Sequence, residues 1–179
     1  MLKRITITWF IALSMLISAS ALTSTQARIR KPYLLDAHLA VPIFQDNLAI
    51  IVNKSNPIDN LSSIELRKIF MGERKTWSNG KRVTIVMRDE GQPEREAVLK
   101  AIYHMRDRDF NNYFMHAAFT GDATEAPKTL SSASGMLKFV FNVPGAIGYA
   151  RVGEVNDTVK VIRIDGMLPT DAGYKIKCD

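Results

Sequence analysis

Residues 83–105, VTIVMRDEGQPEREAVLKAIYHM, constrain this chain more than any other stretch. A β-rich run over 83–87 meets a polar turn at Gly91, and Val98, Leu99, Ile102 and Met105 then recur at the spacing of one helical face. The pattern predicts a strand, a tight turn and a helix. Pro93 suits the first helical turn because its missing N–H would have no partner there, and Glu94 and Glu96 suit the positive end of the helix dipole. The helix therefore starts near Gln92. A helix start facing the carboxyl end of a strand is where open α/β sheets bind anions or small polar ligands. Arg88, Glu90 and Gln92 sit on that turn.

The first 21 residues read as an export signal. Lys3 and Arg4 form a basic start, 5–17 is mostly apolar, and Ala19-Ser20-Ala21 offers a small-x-small cleavage site, with a second site after Ala27 as the alternative. The apolar run falls short of the roughly 20 residues a spanning helix needs. A periplasmic location is expected. Removing Lys3 and Arg4 lowers the formal net charge from +6 to +4, and the remaining bases are scattered, so nucleic acid is not expected as a partner. The one cysteine, Cys178, has no second cysteine in the chain with which to form an internal disulfide. It is read as an exposed thiol in a frayed tail, with interchain pairing as the alternative.

Taken in order, 22–47 is a lead-in, and the apolar run Leu48–Val52 reads as a fully buried strand. Ser62 and Glu65 form a capping box for a helix over 63–71 that Gly72 stops. After a polar loop containing Trp77 come the strand and helix of 83–105. A third helix is expected from Asp107 or Arg108, and a fourth capped by Ser131 or Ser132 and running to Phe141. Strands are expected at 146–150 and 159–164, and the tail 167–179 carries no clear pattern. This alternation argues one α/β domain over 48–166 with a mainly parallel sheet and flanking helices. His38, His104 and His116 lack metal-ligand spacing and there is no G-x-S-x-G elbow. No enzyme activity, metal or cofactor is expected.

Three stretches carry a family resemblance: 48–80 (LAIIVNKSNPIDNLSSIELRKIFMGERKTWSNG), 86–96 (VMRDEGQPERE) and 144–150 (PGAIGYA). Together, in this order, they resemble the periplasmic phosphate-binding proteins of ABC transporters. The family has a crossing strand, a helix of the form S-x-x-x-L-x-x-I-F-x-G, a loop with Trp, a strand leading to an Arg-x-Asp-Gly-Ser-Gly-Thr turn, and a returning G-A-I-G-Y strand. The resemblance implies a binding-protein-like lobe, a phosphate-like oxyanion as ligand, and an ABC permease or another periplasmic or membrane protein as partner. Carried over by position, the family's turn falls on Arg88, Glu90, Gly91, Gln92, Pro93 and Glu94. Pro93 deletes a backbone donor and Glu94 replaces a hydroxyl donor with an ionised acceptor, so phosphate affinity is expected to be weakened or the ligand changed. The family also has an additional N-terminal lobe portion before the crossing strand, for which 22–47 is too short. A reduced lobe, with the N-terminal lobe largely missing, is expected.

The expected ligand residues are Arg88, Glu90, Gly91, Gln92, Ser55 and Gly148. Arg88 is read as forking onto an anion with Glu90 steadying its guanidinium, and Gln92 as a donor at the helix start, against a surface ion pair and a plain N-cap. Ser55, with Asn53, is placed at the same end of the sheet, although a turn role is the simpler reading. Gly148 marks a close approach of ligand or of another part of the fold, and Tyr149 beside it is read as cleft lining or core. The second functional reading is an interaction or sensory module built on the reduced fold.

Overall fold

The computed structural model describes residues 46–120 and 125–178. The expected leader and nearly all of the lead-in lie outside them. Strands are β1 (Leu48–Val52), β2 (Asn60–Leu61), β3 (Thr84–Arg88), β4 (Lys128–Leu130), β5 (Ala146–Arg151), β6 (Lys160–Val161) and β7 (Arg163–Ile164). Helices are α1 (Ser63–Phe70), α2 (Pro93–Val98) continued by a π-helical turn (Leu99–Tyr103), α3 (Asp107–Thr120) and α4 (Ala133–Asn142). Among the described residues, no helix is long and apolar enough to cross a membrane.

The main sheet has the order β4-β3-β5-β1-β6, and β2 pairs with β7 in a second, two-stranded sheet. β3 is parallel to β4 and β5, while β1 is antiparallel to both β5 and β6. Four of the five strands thus point one way and β1 alone opposes them. This is an α/β fold with a mainly parallel central sheet. Side chains alternate across β1: Leu48, Ile50 and Val52 pack with α1, α2, the π turn and α3, while Ala49 and Ile51 face α4. Both faces are covered, which is why β1 is a continuous apolar run.

Local signals set the helix starts. Ser62 and Glu65 make the expected reciprocal capping box, and Ser132 Oγ accepts from the Gly135 N–H at the start of α4. Gln92 is the N-cap of α2 with Pro93 at its first position. The uniform helix expected through Met105 is instead widened into a π turn, closed by His104 in the left-handed conformation, φ 55°, with its N–H on Leu99 O. The slower rotation of a π turn brings Tyr103 round to the core face beside Val98, Leu99 and Ile102. Its ring then stacks edge-on against Phe70 and Phe110, centroids 5.8 and 4.9 Å away.

Two expectations at the C-terminal end are corrected. The single strand over 159–164 is two strands in different sheets, separated at buried Ile162, whose N–H bonds Ile50 O. The tail is not frayed. Tyr174 Oη donates to Leu48 O at 2.8 Å, and the N–H groups of Leu48 and Cys178 bond Ile176 O and Asp46 O. Tyr174, Ile176 and Cys178 join the main core, so the packed unit continues past 166. Cys178 is only 4% exposed, which contradicts the exposed-thiol reading.

Candidate functional site

The antiparallel direction of β1 decides which residues can meet. Leu48 pairs with Arg151 and Val52 with Ile147, so the start of β1 lies beside the carboxyl ends of β3 and β5 and its own end lies opposite. Ser55 follows β1 and therefore sits at the far end of the sheet from Arg88. There its N–H and Oγ both bond Asn53 Oδ1, at 2.9 and 2.7 Å, while Asn53 Nδ2 donates to the last carbonyls of α4. The Ser55 loop is a turn and a helix C-cap, and the expected shared end is corrected.

Arg88 closes β3 and is 8% exposed. Its backbone is held from both sides: its N–H donates to Tyr149 Oη at 2.9 Å, and its carbonyl accepts from Arg95 Nη1 at 3.1 Å. Arg95 is itself fixed by Asp107, Nε to Oδ1 2.7 Å, and by the Phe110 ring beneath it, 4.9 Å from the centroid. Burial pushes the Tyr149 hydroxyl well above its usual range, so it stays protonated while its oxygen accepts from Arg88.

The Arg88 side chain is mostly unsatisfied. Nη2 donates to Gln92 Oε1 at 3.3 Å, but among the described residues Nε and Nη1 are buried without a partner. Gln92 thus takes the steadying part expected of Glu90, and does so as an acceptor. Glu90 points outward, and among the described residues it makes no hydrogen bond or ion pair with Arg88. Gly91 lies between them at φ +79° with nothing within 4 Å of a notional Cβ, so the backbone conformation of the turn, not space, selects glycine.

Gly148 does not border the turn. A Cβ there would come 2.5 Å from Met136 Sδ and 3.5 Å from Val140, so the close approach is that of α4 to the sheet. Its neighbour Tyr149 reaches the turn from the opposite face of β5.

Glu94 supplies what the sequence reading lacked. One carboxylate oxygen, Oε1, accepts from Arg151 Nε at 2.6 Å, while Oε2 is buried with no partner among the described residues. Burial alone would raise its pKa. The Arg151 bond and charge, a backbone N–H and the Arg88 charge outweigh burial and hold it below the usual value. Arg151 also reaches Asp46 Oδ1 at 3.1 Å and Cys178 Sγ at 3.2 Å. The repulsion expected from Glu94 is therefore offset by a cation 57 residues away. Arg95 has Asp107 and Arg151 has Glu94 and Asp46, while Arg88 has no paired carboxylate among the described residues. An unmet buried donor or acceptor costs about 1–3 kcal/mol, and three such atoms belong to residues at this one end of the sheet. Two of these atoms are donors and one is an acceptor. Among the described residues, no group of three or more His, Cys, Asp or Glu could hold a metal ion.

The fold is that of a binding-protein-like module. A family model described as the PBP superfamily domain matches residues 19–172, and the chain belongs to that family. The phosphate-binding protein PstS of Bacillus subtilis (strain 168) is 28% identical over 127 residues, 68% of this chain and 37% of that protein. An ABC-type phosphate transport receptor from Vibrio cholerae superposes with a TM-score of 0.53 at 23% identity, over 69% of this chain and 48% of the receptor. A structure from Clostridium perfringens, described as a phosphate ABC transporter substrate-binding protein with bound phosphate, gives 0.56 at 21% identity over 68% and 46%. At such identities the structures establish the fold. This chain spans about half the length of these receptors and little more than a third of the curated relative.

Proposed function

We propose that this protein is an exported solute-binding module of the phosphate or oxyanion type, associated with ABC transport, with an altered ligand site and no catalytic role. The observation that carries this reading is the buried Arg88 guanidinium, whose Nε and Nη1 have no partner among the described residues at the carboxyl end of β3. Phosphate binding in the printed descriptions of its relatives supports the ligand class. The site is altered because Pro93 and Glu94 stand where the resembled family has a backbone donor and a hydroxyl. Binding is accordingly weak. Charged hydrogen bonds contribute about 1.5–3 kcal/mol each, so two from Arg88 match the roughly 4 kcal/mol of a millimolar site and fall short of the 8 or so of a micromolar one.

Calorimetric titration of phosphate at low ionic strength tests the ligand reading. Millimolar affinity that disappears in Arg88→Ala is the expected result. Wild-type protein that takes no heat from phosphate would refute it in favour of an interaction module. N-terminal sequencing of the soluble exported fraction tests the location. A chain beginning near Leu22 is expected, and one retaining Met1 would end that part of the reading.

A further inference from the structure

Bases that lie scattered along the sequence are gathered by the fold at the end of the sheet opposite Arg88. The loop 72–83 carries Arg74, Lys75, Lys81 and Arg82, and it is held against the start of β5, where Trp77 Nε1 and the Thr84 N–H donate to Gly145 O at 2.9 and 3.0 Å. Because β1 runs antiparallel, Lys54 just past its end lies at this same pole. So does the last turn of α4, with Lys138 and Phe141, since Asn53 Nδ2 donates to Phe141 O at 2.6 Å. α3 ends here too. It starts at Asp107 beside Arg95 and passes Met71, whose carbonyl accepts from Tyr113 Oη at 3.2 Å. Its later residues Met115 and Ala118 then share a hollow with Ala126 and Pro127, next to the basic loop. Phe119 in the last turn of α3 is 85% exposed, and Phe141 53%. Among the described residues the carboxylates of this pole are Asp59, Glu73, Glu125 and Asp157, fewer than the bases, and Asp59 and Glu125 already face Lys160 and Arg82.

The pole offers no deep recess for a bound group. The cleft lined by Arg74, Lys75, Arg82 and Lys128 measures about 30 Å³, room for a water or two. A partner must therefore meet these cations as a surface. Lysine is depleted in protein–protein interfaces, whereas exposed phenylalanine set among lysine and arginine is the chemistry of proteins that lie on anionic bilayers. We propose that this pole docks on an anionic lipid bilayer, with the cations against the headgroup phosphates and Phe119 and Phe141 entering the headgroup boundary. The opposite end of the sheet, with Arg88, then stays open to solution. This inference does not rest on the oxyanion reading, and its failure would leave that reading untouched.

The test is co-sedimentation of the whole chain with vesicles of phosphatidylcholine, and of phosphatidylcholine mixed equally with phosphatidylglycerol, at low salt. A basic residue near an anionic membrane contributes about fivefold in binding, so Lys75→Glu with Lys81→Glu should weaken binding to the mixed vesicles by about twentyfold or more. Lys175→Glu with Lys177→Glu makes the same change in net charge beside the start of β1, at the other pole, and should bind as wild type does. All four lysines are exposed, so neither change touches the core. Phe119→Ser with Phe141→Ser should lose about tenfold. High salt should release the wild type, because the screening length falls to about 3 Å at 1 M. The apolar run 5–17 is common to every variant, so whatever it adds cancels from these comparisons. Equal losses in the two lysine pairs would reduce the effect to net charge and overturn the proposal. No loss in the Lys75 and Lys81 pair or in the phenylalanine pair would overturn it as well, as would wild type that binds mixed vesicles no better than phosphatidylcholine. An acidic protein as the true partner would show as the absence of vesicle binding in every form.

Discussion

Replacing Arg151 with Met keeps most of the side-chain stem and removes the cation that compensates Glu94. Breaking a fully buried ion pair costs about 3–5 kcal/mol, and an exposed one about 0–1. The Arg151 side chain is 28% exposed and that of Glu94 12%, which places this pair between the two cases. A loss of about 2 kcal/mol at pH 7, close to thirtyfold in the folding equilibrium, is expected. The Asp46 contact adds little, because Asp46 is largely in water. The pH dependence separates this cause from lost packing. In wild type the Glu94 pKa lies below its unfolded value, so the pair's stabilisation is present above about pH 4.3 and is lost as pH falls through the lower folded value. In Arg151→Met burial acts with less opposition, Glu94 is protonated at higher pH, and the difference between the proteins shrinks in acid. Urea unfolding of both proteins at pH 7 and pH 3.5 measures this. A destabilisation of the same size at both pH values would refute the charge argument, and one below about 0.5 kcal/mol at pH 7 would place the pair among ordinary surface contacts.

Two further substitutions probe the frame around the site. Gly148→Ala puts a methyl 2.5 Å from Met136 Sδ, and Met136 is fully buried, so a loss of about 1–3 kcal/mol is expected by urea unfolding. Arg88→Met removes two buried unpaired donors, so it should raise stability by about 1–2 kcal/mol while abolishing anion binding.

What the sequence showed of this molecule was its local chemistry. The Ser62–Glu65 box, the cap left open between Ser131 and Ser132 and found at Ser132, Pro93 at the start of α2 and the turn at Gly91 each depend on residues within a few positions, and all stand where the pattern puts them. Direction and partnership over long range were hidden. Nothing in LAIIV says which way β1 runs, and its antiparallel pairing with β5 sends Ser55 to the far end of the sheet. β2 and β4 are two and three residues long, too short for alternation to register. Glu94 drew notice as an odd residue in a phosphate turn, but its partner Arg151 lies just past the returning strand's G-A-I-G-Y signature, where no spacing rule links the two. The tail's role in the core rests on Tyr174, Ile176 and Cys178 alternating inward, a period-2 signal that was there to be read.

The most direct measurement of the central claim is an NMR titration that follows the Arg88 Nε–H resonance, assigned by its loss in Arg88→Met, as phosphate is added at low ionic strength. Because that N–H is buried with no partner among the described residues, its signal should shift on binding and saturate in the millimolar range. A resonance that does not move while phosphate binds elsewhere, or one that saturates below a micromolar concentration, would contradict the account.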